Sequence, residues 1–145
     1  MLKKYIATSL LFISLPIQAS ELTSYKSIEE TLTQGNLITM VVKADACTIN
    51  NPNSFQIKVS TAIFKPQTIL ISNEGYLASS GSWFVSILPS RTGNGVDQRY
   101  KVILDNLNQA KIIWEFFDAD TGQKSSIQTI VATCELGKGM KVYKH

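Results

Sequence analysis

The chain has 145 residues, 14 Lys plus Arg against 11 Asp plus Glu, a single His, two Cys and 44% hydrophobic residues. That composition excludes a disordered chain, a collagen-like repeat and a multidomain assembly, and leaves one small globular domain. Lys3 and Lys4 belong to a leader-like start; without them the balance is 12 basic against 11 acidic residues, and so slight an excess predicts no polyanionic partner.

Residues 1–19 read as a signal peptide. Met1-Leu2-Lys3-Lys4 is a short positive segment, Tyr5 to Ile17 carries no charge, and Ala19 is a small residue at the cleavage position before Ser20. The uncharged run contains Pro16 and, at roughly 13 residues, is shorter than the about 20 that a membrane helix needs. The first Cys is Cys47, far beyond the cleavage point, so a lipid anchor there is not expected. The mature domain, residues 20–145, has no other long apolar run, so no membrane span is expected in it, and it is predicted to be periplasmic or secreted.

In such a compartment thiols tend to pair, and a Cys47–Cys134 disulfide is expected. The alternatives are two free thiols, an intermolecular bond or half of a metal site. The last is short of ligands, because the only imidazole, His145, ends the chain and the two Cys lack close spacing. No cofactor or metal is expected.

In chain order, Tyr25 to Leu32 reads as a short helix. Tyr25, Ile28 and Leu32 form one apolar stripe, and Glu29 and Glu30 lie where the helix dipole favours negative charge. Ser24 or Ser27 can cap the start, Ser27 with Glu30 as a capping box, and Gly35 can take a left-handed stop. Leu37 to Val42 is a nearly continuous β-branched apolar run, suited to a central strand covered on both faces, one of them by the helix. Asn50-Asn51-Pro52-Asn53 reads as a loop, and Phe55 to Ile63 alternates as a half-buried strand ended by Lys65-Pro66.

Thr68 to Ser72 and Tyr76 to Ala78 flank Asn73-Glu74-Gly75 as a hairpin, and Trp83 to Leu88 is a further strand. After a loop at Pro89 to Gly95 come strands at Tyr100 to Leu104, Ala110 to Phe117 and Ile127 to Cys134, with a turn at Asp118 to Gly122. The last strand is Met140 to Tyr143, with Lys141 and Lys144 as edge guards. Turn signals recur too often, and helical signals too rarely, for βαβ units. The expected fold is mainly β (α+β): a curved antiparallel sheet or small barrel with one N-terminal helix packed on it.

Catalytic machinery is hard to assemble from this chain. His145, at a terminus expected to fray, gives Ser-His-Asp and Cys-His arrangements no base, and a paired Cys47 is no nucleophile. Carboxylate chemistry would have to come from Asp97, Glu115, Asp118 and Asp120, which the sequence does not bring to one cleft. Asp118-Ala119-Asp120-Thr121-Gly122 resembles the opening of a calcium loop, yet its third ligand position is Gly122 and no closing Glu follows; it reads as a hairpin turn. Gly93-Asn94-Gly95 and Gly137-Lys138-Gly139 lack the context of a phosphate cradle and read as turns. Trp83-Phe84 and Phe116-Phe117 each place one ring on either face of a strand; most of these rings should be core, and any that are not would mark a partner site. Basic residues are scattered, without a nucleic-acid platform.

The order Ser24-Tyr25, Leu32, Gly35, the strand Leu37 to Val42 and Cys47-Thr48, with Cys134 and Tyr143 near the end, resembles the VirK family of exported bacterial proteins, as does the overall size. The resemblance implies an association with virulence in Gram-negative bacteria. It brings no biochemical activity and no catalytic or binding residue. The resulting expectation is a non-catalytic accessory protein that binds an unidentified protein or envelope partner; a carrier of a small apolar ligand inside a barrel and an enzyme using carboxylates are the competing readings.

Overall fold

The computed structural model describes residues 19–50, 61–85 and 95–145, with the backbone alone for 83–85. Residues 1–18 of the leader, the loop at Asn51 to Asn53, most of the Phe55 to Ile63 strand, the Trp83-Phe84 rings and the Pro89 to Asn94 loop lie outside the described residues.

Two antiparallel sheets carry the chain. The strands are β1 (Ser20–Leu22), β2 (Ile38–Lys43), β3 (Thr48–Asn50), β4 (Thr61–Phe64), β5 (Thr68–Ser72), β6 (Tyr76–Val85), β7 (Val96–Asp105), β8 (Gln109–Asp118), β9 (Ile130–Glu135) and β10 (Met140–Lys144). One sheet has the order β1-β10-β2-β4, the other β3-β9-β8-β7-β6-β5. The mainly β fold with one N-terminal helix is therefore present. The small-barrel alternative is not: each sheet is open, with two edges among the described strands.

The chain passes between sheets at sharp corners. One is the 3-10 turn Ala44–Ala46 between β2 and β3; a second is Leu136 to Gly139 between β9 and β10; a third is Lys65 to Gln67 between β4 and β5. Pro66 suits the last corner because it has no amide proton with which to continue a ladder.

Helix α1 (Tyr25–Thr33) is built by its ends. Ser24 is the N-cap, its hydroxyl accepting from the Ser27 amide at 3.2 Å while the Ser27 hydroxyl accepts from the Ser24 amide at 3.2 Å. The box is thus Ser24 with Ser27, one turn earlier than Ser27 with Glu30. At the other end Gly35 (φ 79°) donates to Leu32 at 2.9 Å and Asn36 to Thr31 at 3.2 Å, the paired bonds of a Schellman stop. Tyr25, Ile28 and Thr31 are buried and Leu32 half-buried, so the predicted stripe is widened by Thr31. The Tyr25 amide, left open at the helix start, donates to the Asn108 side chain at 2.7 Å. Asn108 itself takes a left-handed φ of 63° in the β7–β8 turn.

The core lies between the sheets. Met40, Val42, Phe64, Met140 and Val142 come from one; Leu77, Tyr100, Val102, Leu104, Ala110, Ile112, Trp114, Phe116, Ala132 and Cys134 come from the other. The Phe64 ring sits 4.6 Å from Tyr100 and 5.9 Å from Trp114, centroid to centroid, which fills the gap between the sheets with aromatic carbon.

Four strand readings need correction. First, β6 runs unbroken over ten residues, joining the segments read as Tyr76 to Ala78 and Trp83 to Leu88. The interrupting Ser79-Ser80-Gly81-Ser82 looks like a loop in sequence, but Gly81 pairs with Tyr100, whose ring occupies the space a Cβ would take. Second, β9 starts at Ile130 rather than Ile127, because Ser125 bonds back to Phe116 at 2.8 Å and Lys124 bridges Phe117, which uses up the approach to the strand. Third, β10 is an interior strand between β1 and β2, so Lys141 and Lys144 do not guard an edge. Lys141 instead reaches Glu21 on β1 at 3.0 Å. Fourth, Leu37, placed in the covered run, lies just outside β2 and is 75% exposed.

Candidate functional site

The Cys47 and Cys134 sulfurs are joined, closing a sequence separation of 87. The bond lies at the mouth of two inter-sheet corners. Register Thr48↔Thr133 sets Cys47 beside Cys134, and the Lys43 amide donates to Gly139 at 2.8 Å across the same junction. Gly139 is required there, since a Cβ would sit 2.7 Å from Cys47 Sγ and 2.8 Å from the Ala46 carbonyl oxygen. The pair is a structural tie between corners.

Of the carboxylates named from sequence, Asp97 and Glu115 share the outer face of the six-stranded sheet as diagonal neighbours on β7 and β8. Alternation along β8 points Glu115 outward, where Lys124 (3.5 Å) and Lys101 (3.9 Å) pair with it. Asp97, also outward, pairs with Arg99 Nε at 3.2 Å. Asp118 is buried on the opposite side. Its Oδ1 accepts from the amides of Asp120 (3.2 Å) and Thr121 (3.1 Å) and from the Thr121 hydroxyl (3.1 Å). A carboxylate turned onto its own backbone in this way closes the β8 turn. Among the described residues no cluster of three or more His, Cys, Asp or Glu could hold a metal ion.

His145 is better ordered than a chain terminus suggests. Its amide donates to Leu37 at 3.1 Å and its ring Nε2 lies 2.5 Å from the Thr39 hydroxyl, so the ring covers Thr39 on the outer face of the four-stranded sheet. Nothing in the sequence signalled that contact, because it joins positions 106 residues apart.

The outer face of the six-stranded sheet carries the richest exposed chemistry. Phe116 is buried and Phe117 faces outward, and the Arg99 guanidinium lies over the Phe117 ring at 4.0 Å from its centroid. Towards the other end the register aligns Leu70, Ala78, Ile103 and Lys111 in one row across four strands. Leu70 is 66% exposed, and Tyr76 and Ile103 are exposed as well. The surface therefore combines apolar side chains with Arg99, Lys101, Lys111 and Lys124, of which Arg99 pairs with Asp97 and Lys101 and Lys124 with Glu115. Such a face can bind by contact.

Two phenols are held above their ordinary range. Burial does this for Tyr100; for Tyr25 burial acts first, followed by the Glu29 carboxylate. No helix among the described residues is long and apolar enough to cross a membrane.

No curated protein matches the chain. The crystal structure of a VirK family protein from Legionella pneumophila is similar, with a TM-score of 0.73 and 21% identity over 84% of this chain and 97% of that one. At that identity the likeness establishes the shared fold. The family model described as VirK protein matches residues 21–122, well over half of the sequence, and the chain therefore belongs to the VirK family.

Proposed function

We propose that this chain is an exported, non-catalytic accessory protein that works by binding another macromolecule through the outer face of its six-stranded sheet. The observation that carries the reading is the exposed row around Leu70, Tyr76 and Ile103, continued by Lys111, on a sheet whose opposite face packs into the core. The carrier reading is weakened by the open sheets and by the Phe64, Tyr100 and Trp114 rings between them. The carboxylate reading is weakened by the separate engagement of Asp97, Glu115 and Asp118.

Export is supported by the leader at residues 1–19 and by the Cys47–Cys134 bond, which belongs to an oxidising periplasmic or extracellular space. The link to virulence rests on the family alone. A photoreactive residue at Ile103 in the native envelope or medium should give an adduct of one defined mass, and the same probe at Ile63, on the outer face of the other sheet, should not. Recovery of only the uncrosslinked monomer from both positions would overturn the binding reading. A native N-terminus at Met1 would overturn export.

A further inference from the structure

We propose that strand β5 pairs antiparallel with β5 of a second copy of this chain, joining two six-stranded sheets into one. β5 ends its sheet, and no described strand lies on its outer side. Among the described residues it is the longest of the four edge strands, five residues against three, three and four, and none of its residues is charged. Natural edges are usually blunted by charge, proline or brevity, and this one has none of these within it.

The sequence of the edge is self-complementary. With a two-fold axis at Leu70, residue 70 meets its own copy, Ile69 meets Ile71 of the other copy, and Thr68 meets Ser72. Alternation then continues each layer across the axis. Leu70 and its copy extend the outer row of Ala78 and Ile103, and Ile69 and Ile71 extend the inner layer beside Leu77 and Ser79. That pairing would cover the residues left open in one copy, Leu70 at 66% and Ile71 at 37% exposure.

Charge at the two ends agrees with the same axis. The nearest charged residues beyond the strand are Lys65 and Glu74, and the register sets Lys65 opposite Gly75 and Glu74 opposite Pro66. Both side chains are exposed, and neither makes an ion pair within its own chain among the described residues. The axis thus sets no like charges opposite each other. Five residues per copy bury less than the roughly 1,200 Å² of a stable interface, so the dimer is weak, with a Kd of about 100 µM.

Sedimentation velocity on the mature oxidised protein, over concentrations bracketing that Kd, tests the pairing. Wild type should shift from monomer to dimer. Leu70→Lys, at an exposed position that leaves the fold intact, places two ammonium groups at the axis and should raise the Kd at least about tenfold. A wild type that stays monomeric throughout, or a dimer unaffected by Leu70→Lys, would overturn the proposal.

Discussion

Replacing both cysteines with alanine, Cys47→Ala with Cys134→Ala, removes the tie between the inter-sheet corners without leaving a thiol behind. The bond spans 87 residues of sequence, and the chain-entropy relation gives about 4 to 5 kcal/mol for a loop of that length. Cys134 is 2% exposed, so its truncation also leaves a small void in the core. Domains of this size have total stabilities of about 5 to 15 kcal/mol, so the variant should keep its fold at room temperature only narrowly. In urea, with a slope of about 1.5 kcal/mol/M, the midpoint should fall by about 3 M relative to the oxidised parent. Circular dichroism read against urea, on parent and variant at one pH, measures the shift. A midpoint within about 0.5 M of the parent, equivalent to under about 1 kcal/mol, would refute the loop-entropy reasoning. It would mean that the denatured chain already holds these corners together.

Gly139→Ala should cost about 2 to 3 kcal/mol, because the new methyl meets the fixed Ala46 carbonyl at 2.8 Å as well as Cys47 Sγ, and the urea midpoint reports it. Asn108→Ala removes the acceptor for the Tyr25 amide and puts alanine at φ 63°; a loss of about 1 to 2 kcal/mol is expected, with reduced helical signal. Tyr100→Phe loses the 3.0 Å bond to the Lys65 carbonyl and should cost about 1 kcal/mol below pH 10. Tyr100 and Tyr25 both keep their protons longer in the folded state than in the unfolded one, whose phenols titrate near 10.0. The unfolded chain therefore releases protons first as pH rises, and stability should decline above pH 10. Tyr100→Phe should make that decline shallower, and an unchanged slope would show that this phenol is not the cause.

Local signals in the sequence were enough for the elements whose neighbours are close along the chain. Helix α1 was legible from Ser24, the Tyr25 and Ile28 spacing and Gly35, and the β5–β6 hairpin from Asn73-Glu74-Gly75 with Gly75 at φ 84°. The alternation of Tyr100, Val102 and Leu104 also gave the right inward face. What failed depended on distant partners. Gly81 looks like a breaker until Tyr100 is seen to fill its missing side chain, and β1, only three residues long, has no alternation from which its pairing with β10 could be read. The same limit governs the surface. Phe116-Phe117 announces two opposite faces, but only the β7–β8 register reveals that Arg99 lies over the outward ring. The separation of Glu115 from Asp118 follows from alternation along one strand and could have been read directly.

The distribution of ties is consistent with the proposal that recognition belongs to the six-stranded sheet's outer face and its β5 edge. The β2–β3 and β9–β10 corners, the β7–β8 turn and the start of α1 are bonded to one another at one end of the molecule. Lys43 binds Gly139, Leu136 binds Asn108, Tyr25 binds Asn108, and Cys47 is covalently joined to Cys134. The β5–β6 turn joins the same end through Asn106 and Gly75, at 2.9 Å. Residues committed to these bonds cannot be exchanged for binding chemistry without loss of stability, and those on the inner faces are committed to the core. The side chains of Leu70, Ile103, Lys101 and Lys111 carry neither obligation, yet they stand on strands held rigid by the core behind them. A surface that is fixed in shape and free in composition is the part of such a fold that can be adapted to a partner.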